Sequence, residues 1–163
     1  VREPRPISGA KTPLFDRLLD DGPEVRQPVS PNRAYDAQSL RESVRADLVR
    51  LLNTRTNLRG NIRELAHGTV LDYGIPDLSP ISAADEQQRV ALARRVEDVI
   101  STYEPRLQNV KVLIQPDKSD PRKLLGVVYA SLVIGSVVEP VYFPLALDSM
   151  VKNVVIEGSG SAA

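Results

Sequence analysis

Apolar residues recur at helical spacing between about residues 39 and 103 and alternate from there to about residue 156. Leu40, Val44, Leu48, Leu51 and Leu52 form one stripe, the mark of a helix buried on one side. Ser39-Leu40-Arg41-Glu42 has the form of a capping box, so this helix is predicted to open at Ser39 and to fade after Asn53. Residues 61–73 carry a weaker helical set, Ile62, Leu65, Ala66, Val70 and Leu71, interrupted by Gly68. Tyr73-Gly74-Ile75-Pro76-Asp77-Leu78-Ser79-Pro80 reads as a turn, with glycine near a helix end and prolines beyond it. Ser82 is expected to open the longest helix, with Asp85 completing an acidic variant of the cap. From there to Tyr103 the chain would run roughly 33 Å. Leu92, Val96, Val99 and Tyr103 line one face of it, flanked by Ala93 and Ile100.

The period then changes to two. Leu107–Gln115 is predicted as a first strand, followed by a turn over Pro116-Asp117-Lys118-Ser119-Asp120-Pro121. Leu124–Val138 reads as one long strand, broken by Glu139-Pro140. Both of its alternating sets are apolar: Val128, Ala130, Leu132 and Ile134 on one side, Val127, Tyr129 and Val133 on the other. Val141, Phe143, Leu145 and Leu147 make a third strand, and Lys152–Ile156 a short fourth. Pro144 cannot donate to a ladder, so the third strand is expected at an edge or bulge.

Helices followed by antiparallel strands predict an α+β domain with the helices on one face of a small sheet. An apolar second face beside an unfinished edge invites another chain, and strand addition is the contact that physics favours. Burial of that face within the chain is the plainer alternative.

Residues 1–35 form a proline-rich arm with no sustained period. Within it, Leu14, Phe15, Leu18 and Leu19 make a one-turn amphipathic patch. This patch either folds back on the domain or docks into a partner's groove. The expected organisation is therefore an arm over 1–35, a single domain over 36–157, and a flexible tail or expression scar over 158–163.

Composition narrows the functions available. The 163 residues suffice for a core, and cysteine is absent, so no disulfide or thiolate chemistry operates. Twenty-one basic residues balance 21 acidic ones. Such a neutral chain lacks the footprint of a nucleic-acid or anionic-membrane binder. No apolar run reaches the roughly 20 residues of a spanning helix, and no N-terminal apolar run of the secretory-signal kind is seen. The absence of cysteine suits a reducing compartment, and a soluble protein is expected.

One stretch stands out, Tyr103-Glu104-Pro105-Arg106-Leu107-Gln108, where the helical pattern meets the strand pattern. Pro105 biases Glu104 away from the helical region. Glu104 then lies at a carbonyl end, where the macrodipole disfavours a carboxylate. Arg106 would project to the same side of an extended chain. Two readings stay open: a solvated corner or local ion pair, and an acid and base held rigid to give a partner its register.

Catalytic chemistry has no foothold. Neither phosphate-cradle motif occurs, nor H-E-x-x-H. His67 is the lone histidine, without the clustered ligands of a metal site and outside any nucleophile-elbow context. Glu104 would be the natural acid of a glycosidase pair, but an adjacent arginine lowers a carboxyl pKa where a general acid needs it raised.

Taken together, several stretches resemble the TssE family, the small baseplate proteins of bacterial type VI secretion systems, and behind it the lysozyme-like baseplate wedge family of contractile phage tails. They are Leu14-Phe15-Asp16-Arg17-Leu18, Ser43-Val44-Arg45-Ala46-Asp47-Leu48, Leu51-Leu52-Asn53-Thr54-Arg55, Val70 to Ser79, and Tyr103 to Leu107, in family order. Leu-Leu-Asn-Thr-Arg and Tyr-Gly-Ile-Pro-Asp favour the secretion branch. Asp72 stands where asparagine is expected in many relatives.

The resemblance implies a non-enzymatic wedge subunit without cofactor or metal, in the cytoplasm at a baseplate docked on the inner-membrane complex. Its implied partners are TssF, TssG and TssK, with the sheath subunits TssB and TssC, and neither nucleic acid nor inserted membrane. The family's sheet is similar to the interlocking strand domain of sheath subunits and is thought to seed the first ring by strand exchange. Its Glu-Pro-Arg element maps onto Glu104, Pro105 and Arg106; Leu14, Phe15 and Leu18 are the other expected partner-binding residues. The family's lysozyme label is historical. A peptidoglycan hydrolase, a phage tail wedge protein, and an adaptor working through Leu14–Leu19 are the alternatives.

Overall fold

The structure is a computed structural model that describes residues 10–11, 34–56, 69, 72–78, 81–120, 123–134, 137–148, 153–158 and 160–161. Two short strands, β1 (Ala10–Lys11) and β2 (Ala34–Tyr35), pair antiparallel ahead of α1 (Ala37–Asn53). Then come α2 (Glu86–Tyr103), β3 (Leu107–Pro116), β4 (Lys123–Ile134), β5 (Val137–Asp148), β6 (Asn153–Ile156) and β7 (Gly160–Ser161). The main sheet is an antiparallel meander in the order β3-β4-β5-β6, with β7 added beside β5. The two helices cover one face, which makes this an α+β fold as the pattern predicts. The expected helical stretch over 61–73 lies largely outside the described residues, as does His67.

The buried side chains of α1 are Leu40, Val44, Leu48, Leu51 and Leu52, the stripe read from the sequence. Its start differs. Asp36 is the cap, its Oδ1 accepting the Ser39 amide at 2.7 Å, so the helix opens two residues before Ser39. An aspartate ahead of the serine competes for the same orphan donors and takes them first. In α2, Asp85 is itself the cap, accepting the amides of Gln87 and Gln88 at 2.9 and 3.2 Å. Ser82 instead supplies the carbonyl of the preceding turn, accepting from the Asp85 amide. Leu92, Ala93, Val96, Val99 and Ile100 share one buried core with Val112, Val128, Leu132, Phe143, Leu145 and Val154 of the sheet.

Two strand boundaries correct the sequence reading. The run Leu124–Val138 is not one strand: β4 ends at Ile134 and β5 begins at Val137, directly paired with it. Gly-Ser between two alternating runs is a hairpin signal, and apolar residues on both sides of it conceal the reversal. Glu139 and Pro140 accordingly lie inside β5 rather than ending a strand.

Nor is the Pro144 strand an edge. β5 sits between β4 and β6. The Pro144 carbonyl accepts the Glu157 amide at 3.2 Å, on the side away from β4. In a pleated strand the nitrogen of the same residue faces the same way, and by the period of two so does that of Pro140. Both missing donors therefore fall outside the β4–β5 ladder, which keeps its full register from Lys123↔Asp148 to Ile134↔Val137.

The turn after residue 72 is fixed by contact. Gly74 has φ of 107°, and a Cβ there would sit 2.4 Å from the Thr54 carbonyl oxygen. That approach lets Ile75 exchange backbone bonds with Thr54 and Thr56, at 3.0 Å each, just past the end of α1. Gly74→Ala combines a disfavoured backbone with a clash, so it should cost about 2 kcal/mol or more. Urea unfolding followed by circular dichroism checks this; an unchanged midpoint would show that the turn does not need glycine.

Candidate interaction site

The Glu104-Pro105-Arg106 corner is built by the end of α2. The Glu104 amide still closes the last helical bond, to the Ile100 carbonyl at 2.8 Å. Pro105 then forces the chain out of the helix, and the Glu104 carbonyl accepts from Leu107, the first residue of β3. Arg106 turns back on Glu104. Its Nε donates to Oε1 at 2.6 Å and its Nη2 to Oε2 at 2.5 Å, a two-pronged pair. The same guanidinium reaches α1, donating to Asp47 Oδ2 at 2.5 Å and Ser43 Oγ at 3.0 Å. The Arg106 carbonyl accepts from Val133 in β4. One side chain thus fastens the end of α2 to the middle of α1.

Glu104 is 3% exposed, and the Arg106 side chain 21%. Burial works against the guanidinium's charge, but the Glu104 carboxylate first and then Asp47 outweigh it, and its pKa is raised. The arginine also neutralises a carboxylate at a helix C-terminus, where the dipole disfavours one. The two charges are not separately solvated; they form the local ion pair of the first reading, extended by Asp47 on α1. Outward the corner offers exposed Pro105 and the open part of the guanidinium. Arg50, bonded to the other Asp47 oxygen at 2.6 Å, continues the network to solvent. Leu14, Phe15 and Leu18, the other expected partner-binding residues, lie outside the described residues.

Beside the corner, Tyr103 packs edge-on against Tyr73, with ring centroids 5.2 Å apart, and its hydroxyl donates to the Thr69 carbonyl at 2.9 Å. Asp72, 1% exposed, accepts from the Thr69 hydroxyl and from the Thr69 amide at 3.1 Å. The Thr69 hydroxyl does most to hold the Asp72 carboxyl below its ordinary value, against the opposing effect of burial.

The sheet presents two further surfaces. Its far face carries exposed Leu113, Leu125, Tyr129, Val138 and Val155. The register joins them across strands: Leu113 faces Val127, Leu125 faces Ala146, and Ala146 faces Val155. The second apolar set predicted from the sequence is thus not fully buried within the chain.

Both borders of the sheet are met by helix side chains. The Asn53 amide, at the end of α1, donates to the Val154 carbonyl at 2.9 Å and accepts the Val154 amide at 2.8 Å. Glu97 of α2 accepts the Val112 amide of β3 at 2.8 Å. Sequence reasoning misses Ser43, Asp47, Asn53 and Glu97. Asn53 reads as an ordinary helix terminator, and Ser43, Asp47 and Glu97 as solvated polar positions; each acquires its role only through long-range packing.

Among the described residues no group of three or more His, Asp or Glu side chains is placed to hold a metal ion. No described helix is long and apolar enough to cross a membrane. A family model for the baseplate wedge protein gp25 matches residues 38–135, from the start of α1 to the end of β4, including the whole corner and its partners on α1. The chain belongs to the gp25 baseplate wedge family. No curated protein matches it. The gp25 family is structural rather than enzymatic, and its partners lie within a baseplate and its sheath.

Arg106→Ala would leave Glu104 buried and unpaired, and should cost about 3–5 kcal/mol. Arg106→Lys should recover little, because an ammonium cannot reproduce the fork. Equilibrium unfolding of the two variants tests this; a loss under about 1 kcal/mol would be that of an exposed pair. Asp72 supplies stability that is complete above its unfolded pKa near 3.8 and is lost as pH falls through the lower folded value. Asp72→Asn should flatten that acid limb in urea midpoints measured against pH. An acid limb unchanged in the variant would assign the loss to other carboxylates.

Proposed function

We propose that this chain is the wedge subunit of a type VI secretion baseplate, a protein of the TssE type, and that it helps to start contractile sheath assembly. The observation that carries the secretion branch over the phage branch is the pair of stretches Leu51-Leu52-Asn53-Thr54-Arg55 and Tyr73-Gly74-Ile75-Pro76-Asp77. They meet in space through the Arg55–Ile75 bridge and the seat of Gly74 against Thr54. Family membership supports the wedge role.

In this reading the protein works in the cytoplasm, at a baseplate docked on the inner-membrane complex. TssF, TssG and TssK are its wedge partners, and TssB and TssC the sheath subunits it primes. Glu104 acts from behind by aiming Arg106, and a partner meets Pro105 and the guanidinium's open side. The apolar far face and a sheet border are the remaining contact surfaces. Leu14, Phe15 and Leu18 dock on a neighbouring subunit.

Deleting the chain from a secreting strain should abolish sheath structures seen with fluorescently tagged TssB, and the tagged chain should co-purify TssF, TssG and TssK. Leu113→Asp with Tyr129→Asp, charges placed on the exposed face, should leave the fold intact and cut sheath number several-fold. Normal sheaths in the deletion strain would sink the proposal. Clearing of purified cell walls by the isolated protein would instead favour the hydrolase alternative.

A further inference from the structure

The two borders of the sheet are guarded unequally. At β6 the guard is an amide that copies a strand. Asn53 gives Val154 both a donor and an acceptor, as a paired residue would, and its Nδ2 is held as well by the Val49 carbonyl at 2.9 Å. Three bonds fix the orientation of this side chain. β6 is also only four residues long, so with Val154 occupied little border remains.

At β3 the guard is a single carboxylate oxygen. Glu97 Oε1 takes the Val112 amide, and the other oxygen, Oε2, lies 3.9 Å from Lys111 Nζ, whose side chain is 76% exposed. Val112 pairs with Val128 of β4 but sends its amide the other way. By the period of two, Ile114 presents its N–H and C=O to the same outer side. The available window has hard ends. The register breaks between Gln108 and Lys111, where Asn109 has φ of 53°, and Pro116 has no donor. Between them lie two outward residues, enough for a short added strand. Among the described residues no side chain is hydrogen-bonded to the outward backbone groups of Ile114.

We propose that β3 is the border of this sheet that accepts an added strand, that Glu97 stands in for that strand until it arrives, and that Asn53 closes β6. This rests on the strand-edge contact proposed above and gives it a direction. The sheet grows on one side only. Glu97 supplies in advance two features of the incoming chain, an acceptor for Val112 and an anion for Lys111. The fitting partner is therefore an extended segment with an apolar residue opposite Leu113 and an acidic residue opposite Lys111. Its carbonyl displaces Glu97, which has Lys111 and water to receive it. A strand approaching β6 would have to displace an amide that satisfies both backbone groups of Val154 at once, and would leave that amide only its bond to the Val49 carbonyl.

The test is hydrogen exchange by NMR on the full chain, alone and with the TssB–TssC sheath pair. In the free protein Glu97→Ala should speed exchange of the Val112 amide about tenfold, the effect of one charged hydrogen bond, and leave Val154 unchanged. Asn53→Ala should do the reverse. On adding the sheath pair, Val112 and Ile114 should gain protection while Val154 does not. Glu97→Ala should bind the pair more tightly, and Lys111→Glu more weakly. Protection arising at Val154, or confined to the far face or the Glu104–Arg106 corner, would overturn the inference and leave the wedge assignment standing. Failure of the pair to bind at all would remove both the strand-edge contact and the inference built on it.

Discussion

The fold depends on one guanidinium. α1 and α2 share few contacts of their own and are joined through the sheet beneath them and through Arg106. A buried glutamate at the end of a helix is unfavourable twice over, by desolvation and by the dipole. Arg106 offsets both, then spends its remaining donors on α1. Interior ion pairs rarely add net stability over a hydrophobic replacement; they fix one arrangement among several that an apolar contact would allow. Here the arrangement fixed is the angle at which α2 leaves for β3, and with it the position of Glu97 against the border of that strand. The corner and the border are thus mechanically connected, although they touch different parts of the surface.

A sheet with an exposed apolar face and a short edge strand is an aggregation hazard by ordinary rules. Among the described residues this chain manages the hazard chiefly with helix side chains, joined at β3 by the edge lysine Lys111. Asn53 and Glu97 are the same device at different strengths. Arg41, bonded to Glu139 at 2.7 Å, adds a third tie, between α1 and the start of β5. Among the described residues the exposed face has no comparable guard, which is consistent with membership in a family of assembly subunits.

Much of this was legible in the order of residues. The stripes of α1 and α2 name the buried side chains because burial on a helix is periodic and local. The helix-then-strand order gave the α+β class for the same reason. The boundaries failed where two signals competed: Asp36 against Ser39, and Gly135-Ser136 against the apolar residues around it. The strand containing Pro144 was misplaced because a proline reports a missing donor without saying which neighbour loses it. At the corner the sequence marked the acid and the base but not the second acid. Asp47 lies 59 positions from Arg106, and no spacing rule spans that distance.

Pro140 and Pro144 sit four apart in β5, and so on the same side of its pleat. Sliding β5 by one residue against β4 would turn both ring nitrogens into the ladder and erase two rungs together, besides moving Phe143 out of the core. The prolines therefore veto the mispaired hairpin while costing the native one nothing, and a long, strongly apolar hairpin with few polar landmarks acquires a single permitted alignment.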